Sequence, residues 1–347
     1  MPKTASKQTP KELRFGVIGC GGMGAGVHTP NMAHVVGAKT VAYCDIVEDK
    51  AKALLAKFGG EYTTPDEKDI YADKTLDGVL IQVGPLDHPR MVQSAAKTGK
   101  HVFVEKPIAV DLADALETVR VVEKAGVKFI HGTCQRLAPM VKMAKRMCPN
   151  PAYSFCQCAD TVTHQACHNL DLAVNCFHDA PLATVYASGR QVWGLDQHLA
   201  ADSFSAVLTF TDDSVHTYIQ HGASFNTMLT KYHYQLFGKD RCVYLAKRFK
   251  ECHLMRDRNT VEKSWGFTGQ DMDRDPYGYM GHFDELQELV NCILNKKSGN
   301  GSMTVRDAAY ILAVEKAILH SIETKDKVDF EAFLEDNDAA FLLEGRG

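Results

Sequence analysis

The sequence lacks the features that most quickly identify membrane proteins and nucleic-acid-binding proteins. Its longest apolar runs fall short of the ~18 to 20 residues that are needed to cross a bilayer. Lysine and arginine number 39 against 43 aspartates and glutamates, so the net charge is -4, and no basic stripe is present that would neutralise phosphates. Internal repeats and low-complexity segments are absent as well. We therefore expect a soluble globular protein that contacts neither nucleic acid nor a membrane.

The eleven cysteines also lack the spacings that would give them a special role. C-x-x-C pairs and zinc-ribbon spacing are missing. An odd number of scattered cysteines, in a chain long enough to fold without disulfides, is typical of a reducing cytoplasm. Residues 1–10 are polar and lack the apolar core of a secretory signal, which predicts a flexible tail. The expected location is the cytoplasm.

What the sequence does contain is a glycine-rich turn directly after a short apolar strand. Residues 14–24 read RFGVIGCGGMG, which satisfies the pattern G-x-G-x-x-G. In that pattern the first glycine permits a tight turn, the second lets backbone N–H groups approach a pyrophosphate, and the third lets a helix pack against the strand. The turn predicts a bound dinucleotide. The residues expected at its phosphates are Gly19, Cys20, Gly21, Gly22, Met23 and Gly24.

A second apolar strand ends on Asp45, about 20 residues beyond the glycines, as this kind of site requires. A carboxylate at that position can accept hydrogen bonds from both ribose hydroxyls of the adenosine half, which favours NAD over NADP. No arginine follows at positions 46–49 to pair with a 2′-phosphate, although Lys50 keeps NADP open as the lesser alternative. We expect Asp45 and the adjacent Ile46 to contact the cofactor.

Short apolar strands alternate with amphipathic stretches as far as about Cys134, which predicts βαβ units around a parallel sheet. The predicted strands are Arg14 to Ile18, Thr40 to Cys44, Gly78 to Val83, His101 to Val104 and Lys128 to His131. The predicted helices between them are Val47 to Phe58, Pro89 to Thr98 and Leu112 to Ala125.

The pattern changes after a helix at 137–147. A helical segment near 162–177 is followed by extended runs and short turns, which predict a mostly antiparallel sheet. Two helices, at 281–295 and 304–323, are predicted to close the chain, and residues 270–280 are predicted to form a long loop. The extended runs are Ala183 to Val192, Ser203 to Phe210, Val215 to His221, Tyr232 to Phe237 and Cys242 to Leu245.

These patterns predict an α/β protein with an N-terminal Rossmann dinucleotide-binding domain and a C-terminal α+β domain that has an open, mostly antiparallel sheet. The predicted division is a tail at 1–10, the first domain at 11–135, and a substrate-binding and oligomerisation domain at 136–347, whose closing helix packs back on the first domain. Because an open sheet leaves one face bare, we expect a homodimer or a homotetramer.

At this point the motifs resemble a known family, the superfamily of glucose-fructose oxidoreductase, inositol dehydrogenase and the rhizopine-catabolism protein MocA. The resemblance extends over nearly the whole chain, and it implies NAD(P)-linked chemistry on sugars, polyols or their derivatives. The matching segments are the glycine turn at 19–24, Asp45, the turn Val83-Gly84-Pro85 with His88 after it, the stretch GKHVFVEKP at 99–107, the pair His168 and Asp171, and the closing stretch from MTVRDAAY to KDKVDF.

Within this resemblance Lys106 is the first catalytic candidate. Its ammonium, at the carboxyl end of a strand beside the nicotinamide pocket, can hydrogen-bond the hydroxyl being oxidised and stabilise the alkoxide that precedes hydride loss. Glu105 is expected to orient Lys106 and to offset its charge. The turn at 83–85 ends a neighbouring strand at the same edge, where ligands of open α/β sheets bind. We expect Val83, Gly84, Pro85, His88, Glu105 and Lys106 to contact the cofactor.

His168 and Asp171 are the second catalytic pair, since three residues along a helix place them on one face. A neutral imidazole can accept the hydroxyl proton as the hydride leaves, and a carboxylate nearby would orient it. The family commonly has an acidic residue four positions before this histidine, whereas this sequence has His164. A second imidazole would not raise the basicity of His168, so that role could pass to Asp171 or Asp160. His164 is counted with the catalytic and substrate-binding candidates.

His164 and His168 could also bind a metal at i and i+4, but the sequence forces no third ligand, and we predict no metal. The chain also lacks the loop that family members usually carry before this helix, so the pocket should be more open. The segment 271–279, including Tyr279, or a neighbouring subunit could roof it. Arg136, just past the last Rossmann strand, is a further expected substrate contact, although it could equally cap a helix. The full set of expected substrate contacts is Lys106, Arg136, His164, His168, Asp171 and Tyr279.

The function expected from the sequence is hydride transfer from a secondary hydroxyl of a sugar, sugar derivative or cyclitol to NAD, with Lys106 and His168 handling the proton. A first alternative keeps NAD but makes the reaction redox-neutral, a glycosidase or lyase that acts by transient sugar oxidation and elimination. A second alternative is a binding protein that responds to NAD(H) without catalysis, which only the altered position 164 supports.

Overall fold

The computed structural model describes residues 12–159, 162–194, 199–222, 233–257, 260–266, 280–294 and 303–346, with the backbone alone at 162–165. Within these ranges the chain forms a parallel six-stranded sheet followed by a nine-stranded, mostly antiparallel sheet. The predicted fold class is confirmed. No helix in the described ranges is long and apolar enough to span a membrane.

The first sheet contains β1 Leu13–Ile18, β2 Ala38–Cys44, β3 Tyr62–Thr64, β4 Gly78–Ile81, β5 His101–Val104 and β6 Phe129–His131. Its strand order is β3-β2-β1-β4-β5-β6, and every neighbouring pair is parallel. The order reverses direction between β1 and β4, and a doubly wound sheet binds ligands in the crevice at that reversal, beyond the carboxyl ends of the strands.

The helices of this part are α1 Thr29–Met32, α2 Glu48–Phe58, α3 Glu67–Ala72, α4 His88–Lys97, α5 Leu112–Ala125 and α6 Pro139–Met147. A π-helical stretch, Gly24–His28, precedes α1, and a 3-10 turn, Cys134–Leu137, precedes α6. The sequence analysis missed β3 and α3, because three and six residues are too few to show a period. The side chain of Asp66 caps α3 by accepting a hydrogen bond from the Lys68 N–H at 2.9 Å.

The second sheet contains β7 Tyr153–Ala159, β8 Leu182–Arg190, β9 Ser203–Phe210, β10 Val215–His221, β11 His233–Phe237, β12 Cys242–Ala246, β13 Glu251–Met255, β14 Val261–Gly266 and β15 Val328–Asp329. Its order is β14-β13-β12-β11-β7-β10-β9-β8-β15, and only β7 and β10 are parallel neighbours among the described strands. β13 and β14 were not predicted. Most of β14 is exposed, so it lacks the buried apolar face from which a strand is recognised.

The remaining helices are α7 Val162–Asp171, which continues into a π-helical turn Leu172–Phe177, α8 His282–Ile293, α9 Val305–Thr324 and α10 Phe330–Asp336. The two helices predicted near the end of the chain are present as α8 and α9, but they do not close it, because α10 follows α9. The Asp329 side chain begins α10 by accepting a hydrogen bond from the Ala332 N–H at 3.0 Å. The predicted loop at 270–280 lies outside the described residues except for Met280.

One helix, α9, contacts both halves of the molecule. It packs on α5 of the first part and on β8 and α7 of the second. Its start is fixed to the end of the first sheet, where the His131 N–H donates to the carbonyl of Met303 at 3.0 Å. The side chains of Thr304 and Asp307 form a reciprocal capping box there. α9 therefore holds the second sheet at the carboxyl edge of the first, while the domain boundary at residue 136 stays a prediction.

Candidate functional site

A cavity of about 360 Å³ lies at the carboxyl ends of β1, β2 and β4, at the reversal of strand order. It is the crevice in which a doubly wound sheet binds a ligand. The predicted cofactor residues Cys20, Gly22, Met23, Gly24 and Pro85 adjoin this cavity in the sequence but do not line it. The predicted cofactor residues that line it are Gly19, Gly21, Asp45, Ile46, Val83 and Gly84.

The glycines of the turn divide into two kinds. A Cβ on Gly19, whose φ is +95°, would lie 2.5 Å from the carbonyl oxygen of Gln82, and a Cβ on Gly24 would lie 2.3 Å from the carbonyl oxygen of Gly19. These two positions are closed to any side chain because the backbone packs against itself. A Cβ on Gly21 or Gly22 would meet no atom within 4 Å. The space at Gly21 and Gly22 is therefore open to a ligand, as a pyrophosphate on this turn requires.

Asp45 is held in place by two backbone N–H groups. Its Oδ2 accepts a hydrogen bond from Cys20 at 2.8 Å, and its Oδ1 accepts one from Val47 at 2.8 Å. Each oxygen keeps a further lone pair, so the carboxylate can also accept bonds from ribose hydroxyls. Cys20 thus fixes Asp45 rather than a phosphate, which corrects its predicted cofactor contact. Burial raises the pKa of the Cys20 thiol to about 12, so the sulfur is uncharged.

Gln82 is a cavity residue that the sequence analysis missed. It is 7% exposed and lines the cavity just after β4. Neither its amide nitrogen nor its amide oxygen has a hydrogen-bond partner within the described residues. Leaving such a group unpaired costs about 1 to 3 kcal/mol, so a ligand that hydrogen-bonds it gains that energy. The available signal was a polar residue directly after the apolar strand GVLI.

Glu105 and Lys106 follow β5 at the same edge, but Glu105 turns inward. Its Oε1 lies 2.5 Å from Nε2 of the fully buried His28, and its Oε2 accepts the backbone N–H of Lys106 at 3.0 Å. Burial by itself raises the pKa of the Glu105 carboxyl, but the hydrogen bond and charge of His28, with the charge of Lys106, lower it far below its usual range. Glu105 is an anion that binds His28, which corrects its predicted contact with the cofactor.

His88 does not reach the cavity either. Its ring is fully buried, with Nδ1 2.6 Å from the carbonyl oxygen of Pro107 and Nε2 3.1 Å from that of Val83. A side chain without exposed surface cannot touch a ligand, so the predicted cofactor contact of His88 is wrong. Instead it joins the turn after β4 to the segment that follows Lys106.

His168 is 5% exposed, and its Nδ1 has no hydrogen-bond partner within the described residues. Burial, and then the positive charge of Lys106, lower the pKa of His168 well below its usual value. His168 is therefore a neutral imidazole, the form that can accept a proton.

Asp171 does not orient His168, and that interpretation is wrong. Its carboxylate forms a two-pronged ion pair with Arg136, whose Nε donates to Oδ2 at 2.8 Å and whose Nη2 donates to Oδ1. Burial alone would lower the pKa of the Arg136 guanidinium, but Asp171 and Asp307 raise it, so Arg136 stays charged. A cation is a stronger partner for a buried carboxylate than a neutral imidazole. Because the Arg136 guanidinium is bonded to Asp171 and Asp307, Arg136 stabilises the fold rather than binding substrate. This corrects the prediction that Arg136 contacts the substrate.

A second cavity, of about 430 Å³, lies beside this ion pair and away from the glycine turn. Its three arginines, Arg136, Arg306 and Arg346, are each already paired with carboxylates. We therefore assign the ligand to the first cavity. Among the other predicted site residues, Tyr279 and the His164 side chain lie outside the described residues.

Comparison with known proteins agrees with this geometry. Residues 13–133 match the family described as "Oxidoreductase family, NAD-binding Rossmann fold". Over 138 residues the chain is 32% identical to myo-inositol 2-dehydrogenase of Thermotoga maritima, which covers 40% of this chain and 41% of that protein. It is 31% identical over 136 residues to the NAD⁺-dependent scyllo-inositol 2-dehydrogenase of Bacillus subtilis, covering 39% and 40%. The chain thus aligns with about two fifths of the length of these relatives.

Solved structures extend the similarity of fold over most of the chain. An oxidoreductase from Agrobacterium radiobacter in complex with NAD⁺, L-tartaric acid and magnesium has a TM-score of 0.80 and 19% identity, covering 93% of this chain and 100% of that one. The scyllo-inositol dehydrogenase of Lactobacillus casei with NAD(H) and scyllo-inositol has a TM-score of 0.72 and 21% identity, covering 92% and 99%. At these identities the likeness shows the shared fold.

The open space at Gly21 leads to a first prediction. Gly21→Ala should fold normally, because the new methyl meets no protein atom, but it should weaken NAD binding by about tenfold, or about 1.4 kcal/mol, by entering the space of the pyrophosphate. Titration calorimetry with NAD and a thermal melt check both parts. Gly26→Ala is the matched control, since its Cβ is equally unhindered. Equal affinity of both variants for NAD would contradict the assignment.

The Arg136 ion pair leads to a second prediction. Asp171→Asn should lower the free energy of unfolding by about 3 to 5 kcal/mol, because it leaves a buried guanidinium without its main counter-charge. Urea unfolding measures this difference. Asp179→Asn is the control, since Asp179 pairs with Lys145 at 2.6 Å on the surface, where such a pair contributes at most about 1 kcal/mol. Similar losses in both variants would show that burial does not set the strength of the pair.

Proposed function

We propose that this protein, whose residues 13–133 match an oxidoreductase family with an NAD-binding Rossmann fold, is an NAD-dependent dehydrogenase that oxidises a secondary hydroxyl of a cyclitol, a sugar or a sugar derivative. The observation that carries the proposal is a buried, neutral His168, whose pKa is lowered first by burial and then by the charge of Lys106, a residue that follows β5 at the carboxyl edge of the first sheet. The inositol dehydrogenases among the relatives support the substrate class.

The cavity fits the adenosine and pyrophosphate portions of NAD. Asp45 presents a fixed carboxylate for the ribose hydroxyls, and Gly21 leaves the space that the pyrophosphate needs. The unpaired amide of Gln82 supplies a donor and an acceptor between the glycine turn and β4. The acidic Asp45 favours NAD over NADP. Lys50 lines the same cavity and is the residue that would bind the 2′-phosphate of NADP. When bound, NAD supplies the hydride acceptor.

The proton is handled by residues of this chain. Lys106 donates a hydrogen bond to the substrate oxygen and stabilises its alkoxide character, a contribution of several kcal/mol for a well-placed charged donor. His168, neutral before the reaction, accepts the hydroxyl proton. Because Asp171 is bound to Arg136, that carboxylate does not stabilise the protonated form of His168. The imidazolium therefore releases its proton readily, so that His168 is neutral again before the next turnover.

A redox-neutral glycosidase or lyase remains the second candidate, for one specific reason. The chain has no carboxylate at position 164 and commits Asp171 elsewhere, so the usual acidic partner of the catalytic histidine is missing. Elimination after transient oxidation needs a base that removes a carbon-bound proton, and His168 could serve that step as well. A binding protein without catalysis would need neither Lys106 nor His168, so we rank it below both.

The proposal is tested by screening the purified protein against cyclitols, sugars and aryl glycosides, recording reduced nicotinamide and aglycone release together. Net reduction of NAD by a cyclitol or sugar is expected, and Lys106→Met should reduce kcat/KM by about 10² to 10³-fold through loss of the charged donor. Lys97→Met, an exposed lysine at the end of α4, is the control. Aglycone release without net reduction would favour the redox-neutral enzyme, and full activity of Lys106→Met would contradict the assigned role.

The lowered pKa of His168 predicts the shape of the pH profile. An ordinary histidine titrates near 6.5, but His168 is already neutral there, so kcat/KM for oxidation should not fall as the pH decreases through that value. His168→Asn should lower kcat/KM by about 10² to 10⁴-fold across the profile without moving its inflections near neutrality. An inflection near 6.5 that disappears in His168→Asn would contradict the buried, neutral state.

Location and assembly belong to the same proposal. All eleven cysteines are free thiols, which supports a reducing cytoplasm. The outer face of the second sheet exposes large apolar side chains, among them Tyr153, Tyr186 and Val207. A second copy of the chain could cover that face, so we include a homodimer or homotetramer in the proposal.

A further inference from the structure

A cluster of ligand-type side chains lies inside the first part of the molecule, behind the catalytic edge. Cys134 begins the turn after β6, while His282 and Glu285 lie in the first turn of α8. Cys134 and Glu285 are fully buried, and His282 is 8% exposed. The two elements approach closely because Gly281 precedes α8. A Cβ there would lie 2.5 Å from the carbonyl oxygen of Cys134.

The spacing of these side chains suits ligands of one ion. One ligand atom from each of Cys134, His282 and Glu285 can be chosen so that all lie within 4.8 Å of one another. His282 Nε2 lies 3.8 Å from Cys134 Sγ, whereas its other ring nitrogen, Nδ1, lies 3.5 Å from Glu285 Oε1. Because an imidazole binds one ion through one nitrogen, the 4.8 Å limit describes the ligand set rather than these two distances together. Ligand atoms on a tetrahedral zinc at 2.0 to 2.3 Å are about 3.3 to 3.8 Å apart, so the side chains would close on the ion by about 1 Å.

His28 lies beside the cluster and connects it to the catalytic edge. Its Nε2 lies 2.5 Å from the Glu105 carboxylate, and its Nδ1 lies 3.7 Å from Glu285 Oε1. Nδ1 is fully buried and has no hydrogen-bond partner within the described residues. Glu285 therefore links the three candidate ligands to His28 and, through His28, to Glu105.

We propose that Cys134, His282 and Glu285 bind a zinc ion. The donor set of thiolate, imidazole and carboxylate is the one that zinc prefers, whereas magnesium and calcium prefer oxygen ligands alone. A Zn²⁺ ion with one thiolate and one carboxylate is neutral, which suits a site with almost no exposure to water. Binding releases the thiol proton of Cys134 to the solvent, and no electron is transferred.

The ion would have a structural effect with a functional consequence. It would join the turn after β6 to α8, which returns to the first sheet after the chain has formed the second one. It would also fix Glu285 beside His28, the partner of the Glu105 carboxylate that accepts the backbone N–H of Lys106. The site is thus separate from the hydride-transfer chemistry but supports the geometry of that edge.

The test measures metal content, which is independent of the substrate and of catalysis. Untagged protein is equilibrated with zinc sulfate, desalted and analysed by inductively coupled plasma mass spectrometry, with the expectation of about one zinc per chain. Cys134→Ser and Glu285→Gln should each weaken zinc binding by about tenfold or more in a competition with a chelating dye. Cys148→Ser is the matched control, since Cys148 is 2% exposed and lies outside the cluster. It should retain zinc like the unaltered chain.

A cobalt experiment keeps the proposal testable if the variants do not fold. Co²⁺ added to the unaltered chain should give the visible bands of a tetrahedral site together with a thiolate-to-cobalt charge-transfer band. A chelator that removes the metal should lower the melting temperature of the unaltered chain and of Cys148→Ser alike. The proposal is overturned if the unaltered chain retains no zinc above buffer background, if Cys134→Ser retains as much as Cys148→Ser, or if bound cobalt shows no thiolate band.

Discussion

The hydrogen bond between His28 and Glu105 is the interaction on which the catalytic edge depends. Removing a carboxylate from water costs several kcal/mol unless a charge-assisted partner replaces the water. His28 provides that partner, with its Nε2 2.5 Å from Glu105 Oε1. His28 itself belongs to the helical stretch that follows the glycine turn. The bond therefore connects the segment that would hold the pyrophosphate with the strand end that presents Lys106. If it were broken, the cofactor turn and the catalytic lysine would lose their fixed relation.

A second buried ion pair, between Arg136 and Asp171, positions the other catalytic candidate, His168. Arg136 leaves the first sheet just after β6 and binds Asp171 at the end of α7 and Asp307 at the start of α9. α7 carries His168, so the pair sets the position of the imidazole against the first sheet without touching it. The Arg136 pairs thus join the two halves of the molecule, whereas the His28–Glu105 pair organises the first half.

The sequence was informative where a local pattern determines the structure. β5, β9, β10 and α5 have their predicted bounds or differ by no more than one residue, because apolar periodicity and glycine or proline punctuation define them locally. Local spacing failed at His168 and Asp171. They share a helix face, but Arg136, 35 residues before Asp171 in the chain, provides a stronger partner. Cys134 and His282 are 148 positions apart, so no spacing rule could join them. Glu105 and His88 were placed at the right edge, but a sequence does not show on which side of a strand end a ring or carboxylate will turn.

The position of His88 has a consequence for how the two sides of the proposed site are coupled. Its two ring nitrogens contact the carbonyls of Val83 and Pro107, so the turn that borders the cofactor cavity and the segment that follows Lys106 are joined through one rigid imidazole. The ring is fully buried, so neither segment can shift without disturbing the other. The wall of the cofactor cavity and the setting of the lysine are therefore a single mechanical unit.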